Sequence, residues 1–320
     1  MNSVLVVRRD NIGDLVCTTP LFTALRRAHP QAWVGALVNS YNAAVLDHNP
    51  DLDEVLVYTK LKHLEPGQSA LGALARRTAD LWRLRRRSLD CVVLANPREA
   101  PRTLALARAL APKRIVSLSE ETLRKVSDAH QVERVFALAA ELGIEGPIPP
   151  LKVVPDAALV ENARGLRKRP FNVALQISAR RVAQQWPAER FIELAQRLDA
   201  LGMGTMLLWA PGPSSHPSHP GDDEKAAAIA ATNSIVAYRT ARLAELIGAL
   251  AACDAVVTSD GGAMHLAAAL QKPIVCFFGD VDPTQWRPWG VPHRVLRAES
   301  RRASDIGVDE TLAALRELTK

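Results

Sequence analysis

Short apolar runs alternate with longer stretches of helical periodicity along the whole chain of 320 residues, and that alternation predicts parallel α/β architecture. In the first half the strand-like runs are Val4 to Val7, Trp33 to Val38, Val55 to Val57, Cys91 to Leu94 and Arg114 to Ser117. Helical patterns separate them over Asp14 to Ala28, Tyr41 to His48, Ser69 to Arg87 and Pro101 to Leu110, and a last one over Asp128 to Leu142 ends at Gly143, a common C-cap residue. Four prolines between Gly146 and Pro155 then break the pattern, since they suit neither a helix nor a central strand. A second series follows, with strands at Asn172 to Ile177, Thr205 to Trp209, Ile235 to Ala237, Ala255 to Thr258 and Pro273 to Phe278. Its helices are Ala188 to Leu201, Asp222 to Ala231, Leu243 to Cys253, Gly262 to Leu270 and Asp309 to Leu318. Two Rossmann-like domains are expected, 1–150 and 151–320, facing each other across a cleft. The final helix, 309–320, is free in this reading to pack back on the first domain.

Composition narrows the class. Hydrophobic residues make up 48% of the chain, and the apolar runs have strand length, well short of the roughly 18 residues of a membrane span. The N-terminus enters a strand directly, with its charges after the apolar part, which is not the order of a signal peptide. Cys17, Cys91, Cys253 and Cys276 lie scattered in apolar segments without CxxC spacing, as small buried hydrophobes of a reducing compartment do. These points predict a cytoplasmic protein. The net charge is +6, and part of it is gathered in Arg76, Arg77, Arg83, Arg85, Arg86 and Arg87, interleaved with Leu74, Leu81, Trp82 and Leu84. Such a helix either meets an anionic membrane surface peripherally, guides an anionic acceptor, or is a solvated face with snorkelling arginines. With few aromatics beside the arginines and no recognition motif, no nucleic acid is expected as a partner.

The chemistry concentrates at two strand ends. After the second domain's strand Ala255 to Thr258 come Ser259, Asp260, Gly261 and Gly262, and then the helix containing Ala263 and His265. Free N–H groups at a helix N-terminus, the helix dipole and glycines that admit close approach together make an anion cradle. The competing reading is a tight turn in which Asp260 caps the helix. After the first strand, Arg8, Arg9, Asp10, Asn11, Ile12 and Gly13 lead into Asp14, which stands either as a reactive carboxylate facing the cleft or as an N-cap.

Taken together, Ile12-Gly13-Asp14 with Thr19-Pro20-Leu21, the Trp186-Pro187 turn, Ser259-Asp260-Gly261-Gly262 with His265-Leu266-Ala267-Ala268, and Phe278-Gly279 with Asp282-Pro283 resemble glycosyltransferase family 9. The heptosyltransferases of lipopolysaccharide are its best-known members. The resemblance covers nearly the whole chain in order. It implies the GT-B architecture and an inverting, metal-independent transfer of a heptose from ADP-heptose to a hydroxyl of a glycan or glycolipid acceptor, such as lipopolysaccharide core. No cofactor is implied, and the setting would be the cytoplasmic face of the inner membrane. Carried over residue by residue, it makes Asp14 the catalytic base, with Arg9, Asn11 and Gly13 on the acceptor side. The donor side falls to Ser178, Arg180, Arg181, Gln184, Asp260, Gly261, Gly262, Ala263 and His265. The amides at Gly261, Gly262 and Ala263 would stabilise the departing diphosphate. Asp260, which would repel phosphate, is assigned to sugar hydroxyls or turn amides.

One position departs from the family. Where its members commonly carry a lysine two residues before the tryptophan of the Trp-Pro turn, this chain has Gln184, an amide that donates hydrogen bonds but neutralises no charge. Arg180 and Arg181 are near enough in sequence to substitute. The departure keeps two alternatives open, a different nucleotide-sugar donor or a weakly active sugar-nucleotide-binding accessory protein. Asp280-Val281-Asp282 looks like a metal-binding DxD but reads better as a loop. The run Pro211 to Pro220, with two histidines, reads as a flexible lip near the donor base. Trp286 and Trp289 either stack on a sugar or are simply buried. No GxGxxG follows any strand, which argues against a nicotinamide dehydrogenase.

Overall fold

The computed structural model describes residues 1–58, 70–96, 101–215, 221–231 and 235–320, and the side chains at 70, 71 and 73–77 lie outside that description. The chain divides into two units, Met1–Lys152 and Val153–Lys320. The first contains β1 (Ser3–Val7), α1 (Ile12–Val16), α2 (Thr19–Ala28), β2 (Trp33–Asn39), β3 (Glu54–Tyr58), α3 (Ala70–Arg86), β4 (Cys91–Leu94), α4 (Pro101–Ala109), β5 (Arg114–Val116), α5 (Glu120–Lys125) and α6 (Gln131–Glu141). The second begins with α7 (Ala157–Gly165), β6 (Asn172–Gln176), α8 (Ala188–Ala200), β7 (Gly204–Trp209), α9 (Asp223–Ala230) and β8 (Ile235–Arg239). It continues with α10 (Leu243–Ala252), β9 (Ala255–Ser259), α11 (Gly262–Ala269), β10 (Ile274–Phe277), α12 (Pro283–Trp286), β11 (His293–Leu296) and α13 (Val308–Leu318).

The strand order is β3-β2-β1-β4-β5 in the first sheet and β11-β10-β9-β6-β7-β8 in the second. Every pairing is parallel. Both sheets are therefore doubly wound, and the order reverses between β1 and β4 and between β6 and β9, where the crossover helices diverge and leave a crevice at the carboxyl ends. Central strands covered on both faces are buried along their length and apolar at their middle. Accordingly β1, β6, β9 and β10 are buried at every position. No helix among the described residues is long and apolar enough to cross a membrane.

Four local departures have identifiable causes. The helix expected from Asp14 to Ala28 is two helices, because Pro20 has no N–H to give the Val16 carbonyl. Thr19 Oγ1 donates to that carbonyl instead at 2.7 Å, and Thr18 Oγ1 donates to the Asp14 carbonyl at 2.8 Å. Thr19 Oγ1 also accepts from the Lys152 N–H at 3.0 Å, so the helix break anchors the start of the linker. The helix expected at Tyr41 to His48 is one tight turn, Ala43–Leu46, with Asn42 tied to the end of the sheet: its side-chain oxygen accepts from the Asn39 N–H at 3.0 Å. The short edge strand β11 was hidden by His293 and Arg294. Finally α13 packs on β10, β11 and α8 of its own unit, where the sequence left it free to return to the first.

Helix α7, directly after the proline-rich stretch, went unforeseen although its cap is clear: Asp156 accepts from the N–H groups of Ala158 and Leu159 at 2.9 and 3.1 Å. It packs along α10, and the contact depends on Gly248. A Cβ there would stand 2.8 Å from Leu159 Cβ and 3.1 Å from its carbonyl carbon. Gly248→Val is expected to lower the unfolding free energy by about 1–3 kcal/mol through overpacking, read by urea denaturation. A gain of stability, the usual result of removing a glycine from a helix interior, would show that the two helices can separate freely.

Candidate active site

At the first switch point the chain leaves β1 with Arg8, whose N–H still pairs with the Leu37 carbonyl at 3.0 Å and whose side chain has no exposure to water. A buried guanidinium demands partners for its donors. Nε donates to Asp10 Oδ1 at 2.8 Å, Nη2 to Asp14 Oδ1 at 2.6 Å, and Nη1 to the carbonyl of Ala95 just past β4. The second oxygen of each acid is held by an amide, Asp14 Oδ2 by Asn11 Nδ2 at 2.8 Å and Asp10 Oδ2 by Asn96 Nδ2 at 3.0 Å. The Asp10 carbonyl accepts from Asn39 Nδ2 at 3.3 Å and Asn42 Nδ2 at 3.2 Å.

Asp14 is thus not an N-cap. Asn11 occupies that position, Asp14 lies within the first turn of α1, and its carboxylate points to Arg8 and Asn11. One guanidinium serves two carboxylates. Burial pushes the Asp10 carboxyl up to about 6, against the pull of Arg8, and the nearby Asp14 adds to the rise. Arg9 donates to Thr103 Oγ1 at 2.9 Å with its guanidinium 4.8 Å from the centre of the Tyr58 ring, and Gly13 is buried in α1. The sequence reading singled out Asp14, Arg9, Asn11 and Gly13 but passed over Arg8, Asp10 and Asn96. The available signal was a charged residue directly after the apolar run Val4 to Val7, with acids two and six positions on.

The second switch point brings Gln184 and Asp260 together. Gln184 Nε2 donates to Asp260 Oδ2 at 2.6 Å, while Ser259 Oγ donates to the Gln184 carbonyl at 2.6 Å. Gly279 makes the turn 182–184 possible on its other side, since a Cβ there would run into the Ala183 carbonyl. Burial raises the Asp260 carboxyl to about 6, opposed by the Gln184 hydrogen bond and the charge of Arg181, with Asp280 adding to the rise. Asp260 does not cap α11. The N-cap is Gly261, extended and without a side-chain cap bond, and a Cβ there would meet no protein atom within 4 Å. The first-turn N–H groups have no intrahelical partners by geometry, so the backbone at Gly261, Gly262 and Ala263 is open to an anion.

The other donor-side residues are arranged differently from one another. Ser178 Oγ accepts from the Ala210 N–H at 2.8 Å and also bonds Asp222, tying the end of β6 to the start of α9. Arg180 is exposed. Arg181 pairs with Asp280 at 3.6 Å with both side chains more than half exposed. His265 is buried on α11, its ring edge-on to Trp286 at 5.9 Å. The two acids of the DxD-like triplet go separate ways, Asp280 to Arg181 and Asp282 to the N-cap of α12, where it accepts from the Thr284 N–H at 2.9 Å. Trp186 is core, 1% exposed, with ring centres 4.7 Å from both Phe191 and Phe277 and Nε1 donating to the Ile306 carbonyl at 3.0 Å. The lip expected over Pro211 to Pro220 falls partly outside the described residues, both of its histidines included.

The fold, two doubly wound parallel sheets with a polar cluster at each switch point, is the GT-B type. A structure of glycosyltransferase family 9 from Veillonella parvula is similar at TM-score 0.82 and 19% identity, covering 99% of this chain and 97% of that one. The Escherichia coli heptosyltransferase WaaC with ADP is similar at TM-score 0.77 and 22% identity, covering 98% and 99%. In sequence, the lipopolysaccharide heptosyltransferase 2 of Salmonella typhimurium is 25% identical over 92% of this chain and 87% of its own length. The profile of glycosyltransferase family 9 (heptosyltransferase) matches residues 91–313. The chain belongs to that family and is a glycosyltransferase.

Arg8→Met is expected to cost about 3–5 kcal/mol at pH 8, because removing one partner strands buried charge. The sign of the pH dependence follows from Asp10. Its carboxyl is raised in the folded state, so the native protein holds the proton more tightly than the unfolded chain between about 4 and 6. The stability it contributes is present below that window and lost as pH rises through it, and without Arg8 the loss is larger. Urea titrations at pH 5 and pH 8 should therefore show the smaller cost at pH 5, whereas an equal cost would mean that the carboxylates find other compensation.

Proposed function

We propose that this chain transfers a heptose from ADP-heptose to a hydroxyl of a lipopolysaccharide-core acceptor, with inversion and without a metal ion. Membership of family 9 supports the class, as do the names of relatives that are lipopolysaccharide heptosyltransferases. A neighbouring heptosyltransferase solved with ADP-2-deoxy-2-fluoro heptose supports the donor. The observation that carries the mechanism is the Asp14 carboxylate, held at the first switch point by Arg8 and Asn11. In this reading Asp14 takes the proton of the acceptor hydroxyl as its oxygen attacks the anomeric carbon from the face opposite the leaving group. The bond from that carbon to the β-phosphate oxygen breaks, and ADP leaves with the electron pair. Its growing charge meets the open amides at Gly261, Gly262 and Ala263. The first unit then serves the acceptor, with Arg9, Asn11 and Gly13 near it, and the second serves the donor.

Gln184 bears on the donor. Its amide is taken by Asp260 and brings no charge, so the cation beside the diphosphate is Arg180 or Arg181. Another nucleotide sugar is the second reading, which the uncharged amide of Gln184 favours. A panel of nucleotide sugars, compared by thermal shift with and without EDTA, separates the two, since a ligand of the native state raises its melting midpoint. For place in the cell the reading is the cytoplasmic face of the inner membrane. The arginine cluster contributes less to membrane contact than its sequence suggested: Arg83 pairs with Glu54 and Asp80, Arg85 donates to the Ala109 carbonyl, and Arg87 lies over Trp33. Arg86 over the exposed Trp82 is what remains for a lipid surface in the described part of α3.

Asp14→Asn should keep the fold and ADP affinity while lowering turnover on the order of 10²-fold or more, measured as ADP release with the chemical step limiting. A near-parental rate would remove Asp14 as the base, and loss of activity in EDTA would remove metal independence. Gln184→Lys is expected to preserve or raise kcat. The double variant Arg180→Ala, Arg181→Ala is expected to lower it by more than its effect on donor binding. Parental turnover in the double variant would mean that neither arginine serves the diphosphate.

A further inference from the structure

Asp10 has no part in the mechanism above, yet it is built into the same cluster as Asp14. Arg8 is the hub. Its Nε is committed to Asp10 Oδ1 at 2.8 Å and its Nη2 to Asp14 Oδ1 at 2.6 Å, so each acid receives one donor of a guanidinium that could otherwise serve one carboxylate with two. Asp10 is itself fixed from two further strand ends, by Asn96 after β4 on its Oδ2 and by Asn39 and Asn42 at β2 on its carbonyl.

We propose that Asp10 is a positioning residue that keeps Asp14 a competent base, by dividing the Arg8 guanidinium and holding a second negative charge beside it. The proposal rests on the reading of Asp14 as the base. The physics is that of two like charges and one opposite charge in a water-poor site. A carboxylate facing a whole guanidinium is a poor proton acceptor, because protonation forfeits the ion pair. With Asp10 ionised, the cluster carries an excess negative charge, and a proton arriving on Asp14 relieves it. Asp10 then retains Arg8 while Asp14 holds the proton, so the cluster stays paired through the step.

The groups facing Asp10 leave little else to titrate. Arg8 and Asp14 are the charges that act on it. The strand ends of β2 and β4 present uncharged Asn39, Asn42 and Asn96 and the Ala95 carbonyl. The nearby Cys17 is pushed up by burial, with Asp14 and Asp10 adding to the rise, and so remains a thiol.

Asp10→Asn tests this directly. The new amide is accommodated because Asn96 Oδ1 is buried without a partner, and turning the Asn96 amide offers it as an acceptor. The readout is the pH profile of kcat/KM for the acceptor, whose acid limb reports the free enzyme's base. Removing the like charge should move that limb about one unit to lower pH, with KM for the donor unchanged, and Asp10→Glu, which restores the charge, should bring it back toward the parent. A purely structural role would lower the melting midpoint and leave the limb in place, which overturns the proposal. If Asp10→Asn fails to fold, Asp10→Ser drops the same charge and is read in the same way. Asp14→Asn run alongside separates the two ideas. Parental activity there defeats the base reading itself, whereas an inactive Asp14→Asn with an unmoved limb in Asp10→Asn defeats only the role given to Asp10.

Discussion

Both polar clusters exist because the strand order reverses within a parallel sheet. Between β1 and β4, and again between β6 and β9, neighbouring strands send their following segments to opposite faces, so backbone carbonyls and amides at the carboxyl ends are left without helical cover. Polar side chains must fill that gap or water will. In the first unit Arg8 fills it, reaching across the reversal from the end of β1 to the Ala95 carbonyl after β4. In the second, the turn carrying Gln184 closes over the end of β9, held by Ser259 on one side and admitted by Gly279 on the other.

The two units answer the same problem of a buried acid with different chemistry. Asp10 and Asp14 share a cation, an arrangement that is strong when complete and costly when one member is removed. Asp260 has a neutral amide, so burial dominates and its carboxyl rises to about 6. A lysine in place of Gln184 would put a full charge there. In the proposed reaction the difference would fall on the donor half, since an ammonium would both hold Asp260 ionised and face a diphosphate, whereas an amide would leave the anion to helix amides and exposed arginines.

Several features that look like defects in the periodic pattern turn out to be joints. Pro20 splits one long helix into α1 and α2, and Thr19, at the start of α2, becomes an acceptor for the Lys152 N–H at the end of the first unit. Gly248 interrupts a good helix former's sequence in α10 so that α7 can lie against it. In each case a locally unfavourable residue is explained by a contact more than eighty residues away.

Apolar runs and their spacing determined the parallel α/β class, and most strands were placed to within a residue, because a buried central strand has few alternatives to an unbroken β-branched run. Short edge elements such as β11 and α12 escaped, since their polarity resembles that of loops. Family motifs marked Asp14 and the Asp-Gly-Gly turn through their combination and order along the chain. Tertiary structure alone decided which side chain answers which. That Arg8 lies wholly buried beneath two acids, that Gln184 meets Asp260 across 76 positions, and that His265 faces Trp286 depend on long-range packing, and a charge's partner is set by distance in space, which hydrophobic periodicity does not encode.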